Sequence, residues 1–169
     1  LRWLRENSPE PFGDSDAFFV RSSDMDDLAR QVDVSGAYGV MSWWDYGYWI
    51  SGLARRVPNS NPTQRGAVDS ARFLLAQSEN EARELLDALS TRYVMLDWLL
   101  PRWQKSGGAR IIGKYSALPV WLNQDVTCYY ERVLMTEDGG RRVLRYIYYP
   151  PYFQSMCVRL FIFSAQEAR

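Results

Sequence analysis

Apolar positions recur at helical spacing through most of the first three-quarters of this chain and at strand spacing near its end. Residues 1–7, with Trp3 and Leu4 on one face, predict a short helix that stops before Pro9 and Pro11, because the residue preceding a proline is pushed out of the helical region. Residues 14–16 read as a polar loop ahead of Phe18-Phe19-Val20. Ser23 and Asp26 then open a helix with capping-box spacing, and Met25, Leu28, Ala29 and Val32 follow three to four residues apart. Gly36 and Gly39 bracket a short strand over 38–42. Asn61-Pro62 predicts a helix over 63–76 with proline at its first position and Ala67, Ala71, Leu74 and Leu75 on one side. Ser78 and Glu81 cap another, carried by Ala82, Leu85, Leu86 and Leu89.

Residues 92–97 read as a buried strand. Pro101 and Gly107-Gly108 break residues 98–105 into a kinked helix at best. Helical spacing resumes with Ile111, Lys114 and Leu118 on one face and stops at Pro119. The remainder is β in character. Residues 126–135 and 141–149 flank a turn containing Asp138-Gly139, a hairpin signal. Residues 149–156 make a turn or one helical turn, and 157–163 alternate and are expected to close the sheet. The expected fold class is α+β in one globular domain: a mainly helical core over 1–125, then a small antiparallel β unit over 126–169.

The strand at 38–42 delivers an unusual segment into a loop, Val40-Met41-Ser42-Trp43-Trp44-Asp45-Tyr46-Gly47-Tyr48-Trp49-Ile50. It holds three of the seven tryptophans and one carboxylate. Cores use aromatic rings but rarely tolerate an unpaired acid, so Asp45 needs partners or a surface position. An indole N–H only donates and a carboxylate only accepts, whereas a hydroxyl does both. Trp43, Trp44 and Asp45 together can therefore hold the hydroxyl of one Ser or Thr. Gly47 allows a tight turn after them.

Composition narrows the chemistry. The 169 residues suit one domain, and 20 basic residues cancel 20 acidic ones, so no charge imbalance argues for nucleic acid or an anionic membrane surface. All the cations but Lys105 and Lys114 are arginine, and histidine is absent, which excludes Ser–His and Cys–His nucleophiles and any His-ligated metal. Asp24, Asp26 and Asp27 crowd one helical turn, where complementing the helix dipole is favoured over a metal site. Cys128 and Cys157 are too few for a disulfide framework; they are two small buried side chains or one bridge between strands. No apolar run approaches the roughly 20 residues of a membrane helix, and no signal peptide is evident. The start at Leu1 leads us to expect a piece of something longer. The dense tyrosines near the end read first as cross-strand packing and second as a sugar platform.

Trp43-Trp44-Asp45-Tyr46-Gly47 reads WWDYG and resembles the signature pentapeptide of the catalytic subunits of oligosaccharyltransferases, most closely the archaeal members. The helix–helix–strand pattern over 61–97 and the Tyr149-Pro150-Pro151-Tyr152 region resemble them too. The resemblance implies a C-terminal globular domain in which Trp43, Trp44 and Asp45 bind the Ser/Thr hydroxyl of an Asn-X-Ser/Thr acceptor, supported by Tyr46 and Gly47. It also implies a second motif, Asp-X-X-Lys-X-X-X-Met/Ile, on a kinked helix. Lys114 and Leu118 match its lysine and terminal apolar position, while Ile111 stands where the acid belongs. Asp97, at the end of the preceding strand, is the acid available to replace it in space, and a solvated surface lysine is the other reading of Lys114. The whole enzyme implied is a membrane glycosyltransferase that moves a dolichol-linked oligosaccharide to Asn, with this domain on the extracellular face. Its divalent metal, Mn or Mg, would be bound in a transmembrane portion, and neither metal nor catalysis is expected in this segment alone. Two alternatives stand beside this reading: an aromatic-rich carbohydrate-binding module, and a purely structural one in which WWDYG fills a core.

Overall fold

The computed structural model describes residues 1–13, 33–101, 104–106, 109–111, 114–136, 139–140 and 142–163. The expected Ser23 helix and its three aspartates lie outside the described residues, as does Gly107-Gly108. The fold is α+β. It divides into two compact units, Leu1–Ser70 with Glu84–Met95, and Ala71–Arg83 with Leu96–Arg169.

The first unit is organised by a three-stranded parallel sheet. Strand β1 (Gly39–Met41) lies between β2 (Val57–Pro58) and β3 (Thr91–Val94). A central strand of a parallel sheet is buried on both faces, and all three β1 residues are buried. Helix α1 (Arg2–Asn7) forms where the N-terminal pattern predicts it, with Leu4 inward. Leu4, Tyr38, Val40, Ile50 and Ala54 make one hydrophobic cluster, with Leu1, Tyr46, Tyr93 and Met95 packed against it.

After β1 the chain does not loop. A 3₁₀ turn (Trp44–Tyr46), an α-helical turn α2 (Gly47–Trp49) and a π-helical turn (Ile50–Ala54) follow one another without a break. Gly47 is helical, at φ −54° and ψ −45°, so no left-handed turn requires glycine there. Helix α3 covers Ala67–Leu75 rather than starting at residue 63. Asn61 accepts the Thr63 N–H at 3.0 Å in an Asx-type turn, and Gln64 and Gly66 take positive φ of 70° and 74°. That local bond offers the backbone an alternative to helix. Helix α4 (Glu79–Ala88) starts as expected, with Ser78 Oγ accepting the Glu81 N–H.

The second unit departs further from expectation. Strands β4 (Gln104–Ser106) and β5 (Ala109–Ile111) form a hairpin where a kinked helix was expected. Ile111 therefore belongs to a strand and shares no helical face with Lys114. The helix begins only at Lys114, as a 3₁₀ turn (Lys114–Ser116) leading into α5 (Ala117–Trp121), and it runs through Pro119. Proline is tolerated in a first turn, where its missing N–H has no partner to lose. Strands β6 (Tyr130–Thr136) and β7 (Arg142–Tyr148) pair antiparallel, but the first is shorter than the expected 126–135, because Val126–Cys128 is a 3₁₀ turn capped by the Asp125 side chain. Helix α6 (Pro150–Gln154) supplies the helical turn.

Residues 157–163 are not a third strand: Met156–Ile162 is helix α7, with Met156, Cys157, Val158 and Arg159 buried. A short, nearly continuous apolar run has no decisive period. Here Ser155 stops α6 and accepts the Val158 and Arg159 N–H groups, which starts a helix instead. Both cysteines are free, Cys128 exposed and Cys157 buried. The tyrosines pack, with the Tyr115 ring 4.8 Å from that of Tyr152 and 5.7 Å from that of Tyr129.

Candidate functional site

The pentapeptide is held from below by backbone and serine hydroxyls. The Met41 carbonyl accepts the Met95 N–H at 2.8 Å and the Val40 carbonyl accepts the Asn59 N–H at 3.0 Å, which fixes the end of β1. Ser42, Ser60 and Ser70 are buried just beyond it. Ser70 Oγ donates to Ser60 Oγ at 2.7 Å, Ser60 Oγ donates to the Ser42 carbonyl at 3.4 Å, and Ser42 Oγ donates to the Trp43 carbonyl at 3.1 Å. Buried hydroxyls paired in this way rigidify the backbone they bind. Gly47 closes the arrangement from above: a Cβ there would collide with the Ser60 carbonyl oxygen and lie 2.6 Å from Asn61 Cα.

On this base the two indoles stack, with ring centroids 3.7 Å apart and planes 25° apart. They are buried, at 5% and 6% exposure for Trp43 and Trp44, while Asp45 is exposed. Trp43 Nε1 donates to Asp45 Oδ2 at 2.7 Å. Trp43 thus orients the carboxylate, and its N–H is engaged in this structure. A carboxylate accepts about four hydrogen bonds, so Asp45 retains capacity toward solvent. Tyr46 is half-buried and stacks on Trp49 at 5.5 Å.

Lys114 and Asp97 meet in the second unit. Lys114 Nζ donates to Asp97 Oδ2 at 3.0 Å, and both side chains are about one-fifth exposed, 19% and 22%. Asp97 Oδ1 accepts the Leu99 and Leu100 N–H groups, which fixes the acid's orientation. The acid beside Lys114 is therefore Asp97, three-dimensionally adjacent though 17 residues earlier. Leu118 is fully buried. Among the described residues no group of three His, Cys, Asp or Glu stands close enough to hold a metal ion.

Arg56 is a residue that pattern did not single out. It is 1% exposed, and its guanidinium donates to Ser8 Oγ (2.7 Å) and to the carbonyls of Ser8 (2.7 Å), Arg55 (2.7 Å) and Arg5 (3.0 Å), with the Glu10 carboxylate at 3.3 Å. It ties α1 to the end of the helix that carries the pentapeptide. In the sequence it is one of two adjacent arginines, Arg55-Arg56, and nothing there separates a buried arginine from a solvated one.

The fold is shared with known archaeal oligosaccharyltransferases. The chain superposes on the C-terminal globular domain of an oligosaccharyltransferase from Archaeoglobus fulgidus with a TM-score of 0.55 at 23% identity, covering 78% of this chain and 74% of that one. It superposes on the oligosaccharyltransferase AglB of the same organism, solved with an inhibitory peptide and a dolichol-phosphate, with a TM-score of 0.70 at 23% identity, over 98% of this chain and 21% of that one. The family model for the AglB core domain matches residues 1–100, and the chain belongs to the AglB family. The dolichyl-monophosphooligosaccharide–protein glycotransferase AglB of Haloferax volcanii is 33% identical over 99% of this chain, which spans 17% of that relative's length. No helix among the described residues is long and apolar enough to cross a membrane.

Proposed function

We propose that this chain is the acceptor-recognition domain of a membrane-bound oligosaccharyltransferase that transfers a dolichol-linked oligosaccharide to the Asn of Asn-X-Ser/Thr. The observation that carries the proposal is an exposed carboxylate, Asp45, backed by two stacked indoles and oriented by the Trp43 N–H at 2.7 Å. In this reading Asp45 accepts the hydrogen of the acceptor's Ser or Thr hydroxyl, and the indole edge of Trp44 donates to its oxygen. Holding that hydroxyl fixes the Asn two residues upstream, and orientation alone contributes several kcal/mol to a reaction. Lys114, paired with Asp97 at 3.0 Å, serves in this reading as the second motif's lysine, with the acid supplied from outside the motif's own spacing. Residues 1–169 act as one functional domain on the extracellular face. The donor lipid, the divalent metal and the bond-making step belong to the rest of the enzyme.

The test is peptide glycosylation by the full-length enzyme with Asp45→Ala, paired with unfolding of the same variant in this chain. The proposal expects transfer to Asn-X-Thr to fall to background while the melting temperature stays near that of the parent. Retained transfer, or a lost fold, contradicts it.

A further inference from the structure

From Asp45 to Ala54 the chain turns as one continuous helix, and its faces differ sharply. Gly47, Ile50 and Ala54 are buried, whereas Asp45, Tyr48, Trp49, Gly52 and Leu53 are exposed. That set has i, i+3, i+4, i+7, i+8 spacing, which is one helix face. Tyr48, Trp49 and Leu53 are 55%, 56% and 58% exposed. One exposed apolar side chain needs no explanation, but a row of three leading away from a carboxylate does. Trp49 is also braced by its stack on Tyr46, and rigid aromatic rings bind at low entropic cost. At the far end of the row lies an open depression of about 360 Å³ lined by Leu1, Arg2, Arg5, Glu6 and Leu53.

We infer that this ridge is the track on which the acceptor polypeptide continues beyond its Ser/Thr. The inference rests on Asp45 receiving the hydroxyl. Leu53 follows Asp45 by eight positions, so the ridge is about 12 Å long at about 1.5 Å per helical residue. The acceptor's Asn is only two residues, or about 7 Å of extended chain, from the hydroxyl. The ridge therefore outruns the sequon, and the segment carrying the Asn must leave it for the reaction centre. The downstream segment is the one left to cover it, and about four extended residues span it. Alternate side chains of such a strand point the same way, so apolar residues at every second position meet Tyr48, Trp49 and Leu53 in turn. Around the depression Arg2 is paired with Glu6 at 2.8 Å, and the charge of Arg5 favours an acidic residue where the track ends.

The experiment uses the full-length enzyme and two peptides sharing one Asn-X-Thr. One ends in a carboxamide immediately after the threonine; the other continues for four residues, apolar at the first and third and acidic at the fourth. The track predicts a kcat/KM for the extended peptide about tenfold above that of the truncated one, the scale of one good aromatic contact. Trp49→Ala and Leu53→Asp should each bring that ratio close to one. Equal kcat/KM for the two peptides in the unmutated enzyme overturns the inference. So does a loss in the variants that falls equally on both peptides, since the face then serves another part of the enzyme. The hydroxyl site stands or falls separately, on whether Asp45→Ala abolishes transfer to the truncated peptide.

Discussion

Replacing Gly47 by alanine sets two effects of opposite sign against each other. Gly47 has helical φ and ψ, so alanine fits the backbone, and helix propensity favours it by about 1 kcal/mol. Against that, the new Cβ would collide with the Ser60 carbonyl oxygen and stand 2.6 Å from Asn61 Cα and 2.8 Å from Asn61 Cβ. Most of these are backbone atoms, which cannot rotate aside, and Ser60 is itself held by its hydrogen bonds to Ser42 and Ser70. Overpacking of this kind costs about 1–3 kcal/mol, and a site that can move only by shifting backbone lies at the upper end. The collision should win by about 1–2 kcal/mol, a drop of about 2–4 °C in melting temperature per kcal/mol for a chain of this size. Gly52→Ala is the control in the same helix: its Cβ would meet nothing within 4 Å. That variant should gain up to about 1 kcal/mol from propensity alone. Thermal and urea unfolding of the 169-residue chain measures both. If Gly47→Ala melts at or above the parent, in step with Gly52→Ala, the close seating of the pentapeptide on Ser60 and Asn61 is wrong.

Arg56→Met should destabilise the first unit by about 3–5 kcal/mol, because it leaves the Arg5, Ser8 and Arg55 carbonyls and the Glu10 carboxylate without their donor. Arg56→Lys should recover only part of that, since one ammonium cannot reproduce the fork, and an unchanged urea midpoint for either variant would contradict the contacts. Lys114→Ala in the full-length enzyme should raise KM for the acceptor with little change in kcat, and unchanged kinetics would make Lys114 a surface lysine. Burial pushes the Cys157 thiol from 9.0 up to about 12, and the Tyr148 hydroxyl from 10.0 up to about 12. Between those values the unfolded chain releases protons that the folded chain keeps, so stability is full below about pH 9 and falls as pH rises toward 12. Melting temperatures at pH 7 to 10.5 should decline along the upper half of that range, and a flat profile would refute it.

The parts of this molecule that were legible in its sequence are those where one local rule acts alone. The pentapeptide is legible because two adjacent indoles followed by an acid are chemically unusual, and α4 because Ser78 and Glu81 fall at capping distance ahead of a 3.6-residue apolar period. The hairpin of β6 and β7 followed from its turn. Misreadings came where tertiary context overrode a weak local signal. Met156–Ile162 is apolar on nearly every residue, so period could not separate helix from strand, and the stop at Ser155 decided it. Pro62 at a first position predicts helix over 63–66, but the Asn61 side chain accepts the Thr63 N–H and holds a turn there instead. Spacing singles out Lys114 as a candidate, whereas its partner Asp97 comes from another element, 17 residues earlier, and no spacing rule pairs the two. Arg56 was invisible because burial of a charge depends on carbonyls that the fold brings together.

The central claim, that Asp45 receives the acceptor's hydroxyl, is tested most directly by a double-mutant cycle between enzyme and peptide. Competition affinities are measured for Asn-X-Thr and for the same peptide with threonine replaced by 2-aminobutyrate, which keeps the shape and lacks the hydroxyl, each against the parent enzyme and Asp45→Ala. If the carboxylate holds the hydroxyl, losing either partner costs about as much as losing both, and the coupling between them should be about 1.5–3 kcal/mol, the range of a hydrogen bond to a charged group. Penalties that simply add, with no coupling, would place the hydroxyl elsewhere and contradict the account.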